Sequence, residues 1–114
     1  MTKEAAEQYR ALLQECQYRA AQMQLFAARP LGRTKAARDA AEAILEQVEE
    51  RLCYCVECCR EFEVWLAAIS DKGLQEVMVL RYVAGLSFVQ IGERVHKNPD
   101  TVKKAVYRYF NRNS

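Results

Sequence analysis

From residue 34 to residue 69 the chain runs without a glycine or a proline, and its apolar residues recur at three- and four-residue steps. Ala37, Ala41, Ile44, Val48, Leu52, Cys55, Cys59, Phe62, Leu66 and Ile69 make a nearly continuous seam. A strand would alternate at every second residue, so this spacing predicts one long amphipathic helix. Thr34 is its candidate N-cap.

Residues 2–28 carry the same period through Tyr9, Leu12, Cys16, Ala20, Met23 and Ala27 and read as a second helix. Between the two lies Arg29-Pro30-Leu31-Gly32, where proline cannot continue a helix. At the α-helical rise the two helices would span roughly 40 Å and 54 Å. A connection this short predicts an antiparallel hairpin. Leu13, Leu25, Leu45, Val56 and Trp65 fall off the seam. The hairpin is therefore expected to cover this flank with a second copy of itself or another protein. The alternative is that it folds back onto the C-terminal segment.

Charge divides along the chain. Residues 1–33 hold five basic and three acidic side chains, residues 34–69 four and eight, and residues 70–114 eight and four. An acidic middle beside a basic end points to a polyanion met by the end alone. With 51% hydrophobic and 28% charged residues the chain is not of disordered composition. The longest apolar run, Val64-Trp65-Leu66-Ala67-Ala68-Ile69, falls far short of the ~18 residues that a membrane span needs. The polar start, Met1-Thr2-Lys3-Glu4, does not resemble a signal peptide, so a cytoplasmic protein with no membrane partner is expected.

The C-terminal segment breaks into three short helices after Ser70-Asp71-Lys72-Gly73. The first covers residues 74–84, with Leu74, Val77, Leu80 and Val83 inward, and Gly85 suits its left-handed C-terminus. Ser87 and Gln90 make a capping box for the second, residues 88–96, with Ile91 and Val95 inward. Asn98 caps the third, residues 99–112, which Pro99 and Asp100 open. Val102, Val106 and Tyr109 share its inner face, and residues 101–112 hold four basic residues and no acidic one. A short helix, a tight turn and a capped basic helix describe a helix-turn-helix, in which one helix braces the other in the major groove.

Leu80-Arg81-Tyr82 followed by Gly85-Leu86-Ser87-Phe88-Val89-Gln90-Ile91-Gly92 resembles the region 4 helix-turn-helix of sigma-70-type factors. Thr101-Val102-Lys103-Lys104-Ala105-Val106-Tyr107-Arg108 matches that family's recognition helix. With its helical N-terminal extension the chain is similar to small phage and mobile-element regulators of the ArpU and RinA type. The resemblance covers roughly residues 74–112 and implies promoter-proximal binding to double-stranded DNA, with RNA polymerase as a further expected partner. No segment resembles the sigma region that melts the −10 element, so a self-sufficient sigma factor is not expected. His96-Lys97-Asn98-Pro99 replaces the commoner small and hydroxyl residues at the turn.

The candidate DNA-binding residues follow from position. Lys103 and Lys104 are placed for phosphate or base contact, and Tyr107 and Arg108 for phosphate further along. Thr101 and Asn98 could bond base edges or phosphate from the helix start. Ser87, Phe88 and Gln90 open the supporting helix, where backbone amides meet phosphate.

Cys55 and Cys58 have a zinc-ligand spacing, but they lie inside an unbroken helical pattern that also holds Cys53 and Cys59. Packing is the expected role of Cys55 and Cys59, with no metal and no cofactor. His96 sits at a turn, and no nucleophile triad, phosphate loop or paired catalytic carboxylates can be assembled, so no enzyme is expected.

The expected fold is all-α: a helical hairpin over residues 1–69 for dimerisation or partner binding, then a helix-turn-helix module over residues 70–114. The expected function is sequence-specific DNA binding by a transcriptional regulator, homodimeric through the hairpin. An RNA polymerase-binding adaptor with weak DNA binding is the alternative, and a phage DNA-packaging-associated factor a further one.

Overall fold

The computed structural model describes residues 1–30 and 32–113, with the backbone alone at Asn113. Its elements are α1 (Lys3–Glu7), α2 (Tyr9–Ala28), α3 (Lys35–Ala67), α4 (Lys72–Met78), a π-helical turn (Val79–Val83), α5 (Phe88–Val95) and α6 (Pro99–Asn113). Among the described residues there is no strand. No helix is long and apolar enough to cross a membrane. The residues gather into two compact units, Met1–Arg10 with Cys59–Ser114, and Ala11–Cys58. The unit that holds α4–α6 thus also includes the first ten residues and residues 59–69, which the sequence reading assigns to the hairpin.

Residues 2–28 form two helices where the spacing predicts one. The Thr2 side-chain oxygen accepts from the Ala5 N–H at 3.1 Å and caps α1. The Gln8 N–H closes back on the Ala5 carbonyl at 3.2 Å, a tighter turn than α, and α2 starts afresh at Tyr9. Thr34 caps α3 as expected, accepting from the Ala37 N–H at 3.1 Å. Leu31, in the connection ahead of it, lies outside the described residues.

Within the unit of residues 11–58, Glu15 on α2 meets Arg51 and Cys55 on α3. Phe26, further along α2, shares a groove with Ala41 and Leu45, earlier on α3. These pairings run in opposite senses along the two helices, as between antiparallel neighbours. Val48 and Cys55 are buried here, while Ala37 and Ile44, at the start of the seam, are exposed. The Glu15 carboxylate accepts from Arg51 Nε and from Arg51 Nη2, the latter at 3.0 Å, and from the Cys55 thiol at 3.0 Å. Donation from Arg51, then from Cys55, pulls the Glu15 carboxyl from its usual 4.5 to about 2. Burial, reinforced by that carboxylate, pushes the Cys55 thiol up to about 11. The buried Cys55 thiol thus packs between the helices while its S–H donates to the carboxylate. Among the described residues no cluster of three or more His, Cys, Asp or Glu is arranged to hold a metal.

The other unit is built on aromatic rings. Tyr9 and Phe62 lie 4.4 Å apart, Phe62 and Trp65 5.8 Å, and Phe62 and Tyr82 6.3 Å. Trp65 continues to Tyr109 and Phe110. The Tyr9 hydroxyl donates to Glu63 at 2.9 Å, so the ring is buried without stranding its polar end. Trp65, off the predicted seam, is half-buried and meets the chain's own last helix, a contact of the fold-back kind. Ile69, Met78, Ile91 and Val106 complete the core.

Two ends of helices in this unit carry more than routine caps. The Asp71 carboxylate accepts from the Leu74 N–H at 3.1 Å and starts α4. Gln75 reaches back to donate to the Leu66 carbonyl at 3.0 Å, at the end of α3, where the Ile69 N–H also donates to it at 3.2 Å. In the π-helical turn the Ala84 N–H reaches the Val79 carbonyl, and the widened turn buries Tyr82 while Val83, expected inward, is 37% exposed. Gly85 follows at φ 78, and the Leu86 N–H donates to the Leu80 carbonyl at 2.9 Å. A left-handed residue was required there, and glycine supplies it without steric cost.

Candidate nucleic-acid interface

The interface residues are held by α5, a three-residue connection and α6. Ser87 and Gln90 form the complete capping box: the Ser87 side chain accepts from the Gln90 N–H at 3.2 Å, and the Gln90 side chain accepts from the Ser87 N–H at 2.9 Å. Both side chains are exposed, yet each is already engaged in starting α5. The helix ends at His96, which adopts the left-handed conformation at φ 58 and ψ 46. Gly92 makes the return possible. A Cβ there would sit 2.6 Å from the Lys97 carbonyl oxygen and 3.3 Å from the Pro99 ring. The backbone of the connection therefore crosses α5 where only glycine leaves room.

Asn98 turns its side-chain oxygen to the Asp100 N–H at 2.9 Å and opens α6, with Pro99 at the first helical position. Along α6, Val102, Val106 and Phe110 are buried, at 3%, 0% and 4% exposure. Tyr109, expected as the third inward residue, is only half-buried. The step from Val106 to the core residue is four rather than three. The signal was present, since Phe110 continues the run of four-residue spacings.

That anchoring turns Thr101, Lys104, Arg108 and Asn111 outward, and all four are exposed. Lys103 is exposed on the flank of the same helix. Tyr107 is placed differently from its expected role at the phosphates. It is half-buried, edge-on to Phe88 at 6.1 Å, with the ammonium groups of Lys3 and Lys103 at 4.7 Å and 5.6 Å from its ring centroid. Its ring holds cations in position instead of projecting alone. Arg81 lies over Phe88, 4.3 Å from the ring centroid, and donates to the Leu86 carbonyl at 3.1 Å. Sequence reasoning missed Lys3 and Arg81 as parts of this surface, and, though it named Phe88 and Tyr107, not the contact between their rings.

The structure thus brings Thr101, Lys103, Lys104 and Arg108 together on one helix, places Asn98 at its head, and sets Ser87 and Gln90 at the start of the bracing helix. Among the described residues, no carboxylate pairs with any of the basic side chains of α6; the ion pairs join Glu15 to Arg19 and Arg51, in the other unit. Such a surface can hold anions by charge and donate to base edges from one end. Comparison with known protein families, with curated proteins and with solved structures gave no match to this chain.

Proposed function

We propose that α4–α6 act as a helix-turn-helix of sequence-specific DNA-binding type, in a transcriptional regulator that sets α6 into the major groove. The observation that carries this reading is the outward row of α6. Thr101, Lys104, Arg108 and Asn111 are polar or cationic, free of carboxylate partners among the described residues, and fixed by the burial of Val102, Val106 and Phe110 behind them. Thr101 and Asn98 lie at the end of the helix that would enter first, the end from which base edges are read in this motif. Lys103, Lys104 and Arg108 would meet phosphate.

The unit of residues 11–58 fits self-association. Tyr18 and Leu25, seven residues apart on one face of α2, are 59% and 70% exposed. A homodimer would carry two copies of α6, and dimers of this motif meet half-sites about 34 Å apart. Sedimentation of the purified protein measures this directly.

The test of DNA binding uses fluorescence anisotropy with a labelled duplex of about 30 base pairs, titrated across a range of salt. Wild-type protein is expected to bind with a steep salt dependence. Lys104→Ala with Arg108→Ala is expected to lower the slope of log affinity against log salt by about 2. Duplex binding that ignores these two residues, or no binding at low salt, overturns the reading. The second result is the one that a polymerase-binding adaptor would give.

A further inference from the structure

We propose that Lys3 and Arg10, in the first ten residues of the chain, extend the DNA-binding surface by gripping phosphates beside the groove that α6 enters. The inference rests on the DNA-binding reading above and goes beyond it, because neither residue belongs to the helix-turn-helix segment.

A continuous line of contacts carries the inference. The Arg10 guanidinium lies so close against Gly85 that a Cβ on the glycine would overlap it. One residue on, the Leu86 carbonyl accepts from Arg81, whose guanidinium covers Phe88. Phe88 meets Tyr107 edge-on, and Tyr107 carries both Lys3 and Lys103. Three cations, from α1, the π-helical turn and α6, therefore lie over the rings of Phe88 and Tyr107, and a fourth, Arg10 of α2, lies against Gly85, three residues before Phe88.

Among the described residues none of the four has a carboxylate within ion-pair distance. Convergence of like charges opposes folding, and the ring faces of Phe88 and Tyr107 offset only part of that repulsion. An anion lying along the line relieves the rest. The end of the line at Lys103 is on α6 itself, so the anion that fits is the phosphodiester strand of the same duplex. In helix-turn-helix docking the bracing helix crosses that backbone while the second helix reads the groove. The carboxylates of the same stretch, Glu4 and Glu7, lie close by without pairing to these cations: Glu4 borders the cleft that Lys3 and Tyr107 also line, and Glu7 acts on Tyr82, as Arg81 does.

The experiment compares wild type, Lys3→Ala with Arg10→Ala, and Lys104→Ala with Arg108→Ala on the same labelled duplex of about 30 base pairs. Losing two phosphate contacts is expected to lower the salt slope by about 2 and the affinity roughly tenfold at physiological salt. Because Arg10 packs on Gly85, a second measurement leaves the chain unmutated: lysine acetylation of wild-type protein, read by mass spectrometry with and without saturating duplex. Lys3 is expected to be shielded by the duplex, as Lys104 is. The inference is overturned if Lys3 acetylates at the same rate in the complex while Lys104 is shielded. It is also overturned if the folded Lys3→Ala, Arg10→Ala protein keeps the wild-type slope. Either result leaves the reading of α6 intact provided that the Lys104→Ala, Arg108→Ala protein binds weakly. Wild-type binding by that second protein removes both.

Discussion

The indole of Trp65 stacks on the ring of Phe110, with centroids 5.1 Å apart and planes 13° from parallel. Phe110 also meets Tyr82 edge-on at 5.8 Å and is 4% exposed. A single ring thereby joins the end of α3, the π-helical turn and the last helix. Phe110→Ala opens a cavity at this junction and is expected to lower the unfolding free energy by about 3–5 kcal/mol, read from urea titration. Arg112→Ala, exposed two residues further on, is expected to change it by less than about 0.5 kcal/mol. If Phe110→Ala costs under about 1 kcal/mol, the aromatic cluster is not what positions α6.

The Glu15 carboxyl gives the unit of residues 11–58 a pH dependence of known sign. Its folded pKa is about 2, below the ordinary 4.5, because Arg51 and Cys55 donate to the charged form. As pH falls the unfolded chain takes up this proton first. The stabilisation from Glu15 is therefore complete above 4.5 and is lost progressively from there toward 2. Melting temperatures measured across that interval should drop more steeply for wild type than for Glu15→Gln, and the gap between the two proteins should close at the acid end. Parallel curves would remove Glu15 from the account.

Local features of the site were legible in the sequence because each depends on neighbours in the chain. Ser87 with Gln90, Gly85 at a left-handed position, and Pro99 after Asn98 are all set by residues within three positions. The seam on α6 was legible up to the choice between Tyr109 and Phe110, which helical periodicity alone does not decide. The contacts of the first ten residues were not legible. Tyr9 meets Glu63 fifty-four positions away, and Lys3 meets Tyr107 near the other end of the chain. Periodicity describes which face of a helix is apolar, not which other helix will cover it. The sequence therefore left Trp65 open to two partners, and only the fold assigns it to Phe110.

Gly85 and Gly73 make a matched pair of opposite sign. Gly85 sits at φ 78, and the Arg10 guanidinium occupies the place of a Cβ. Gly85→Ala is expected to cost about 1–3 kcal/mol from backbone strain, with displacement of Arg10 added. At Gly73, inside α4, a new Cβ would meet only the Asp71 carboxylate at 3.4 Å, an ordinary contact. Gly73→Ala is expected to stabilise by roughly 0.5–1 kcal/mol, since the helix no longer orders a glycine. Thermal melts of the two proteins on opposite sides of wild type would bear this out; equal destabilisation would contradict it.

Ser87 and Lys104 separate folding from binding. The Ser87 side chain is committed to the Gln90 N–H, and Gln90 returns the bond to the Ser87 N–H. Ser87→Ala should therefore cost about 0.5–2 kcal/mol of stability, as the loss of a helix cap does. Where the variant remains folded, its duplex affinity should keep the wild-type salt slope. Lys104 makes no ion pair among the described residues and faces outward on α6. Lys104→Ala should leave the melting temperature nearly unchanged and lower the salt slope by about 0.9, the value of one phosphate contact on duplex DNA. A Ser87→Ala protein that melts like wild type but loses salt slope would make Ser87 a phosphate ligand first and a cap second.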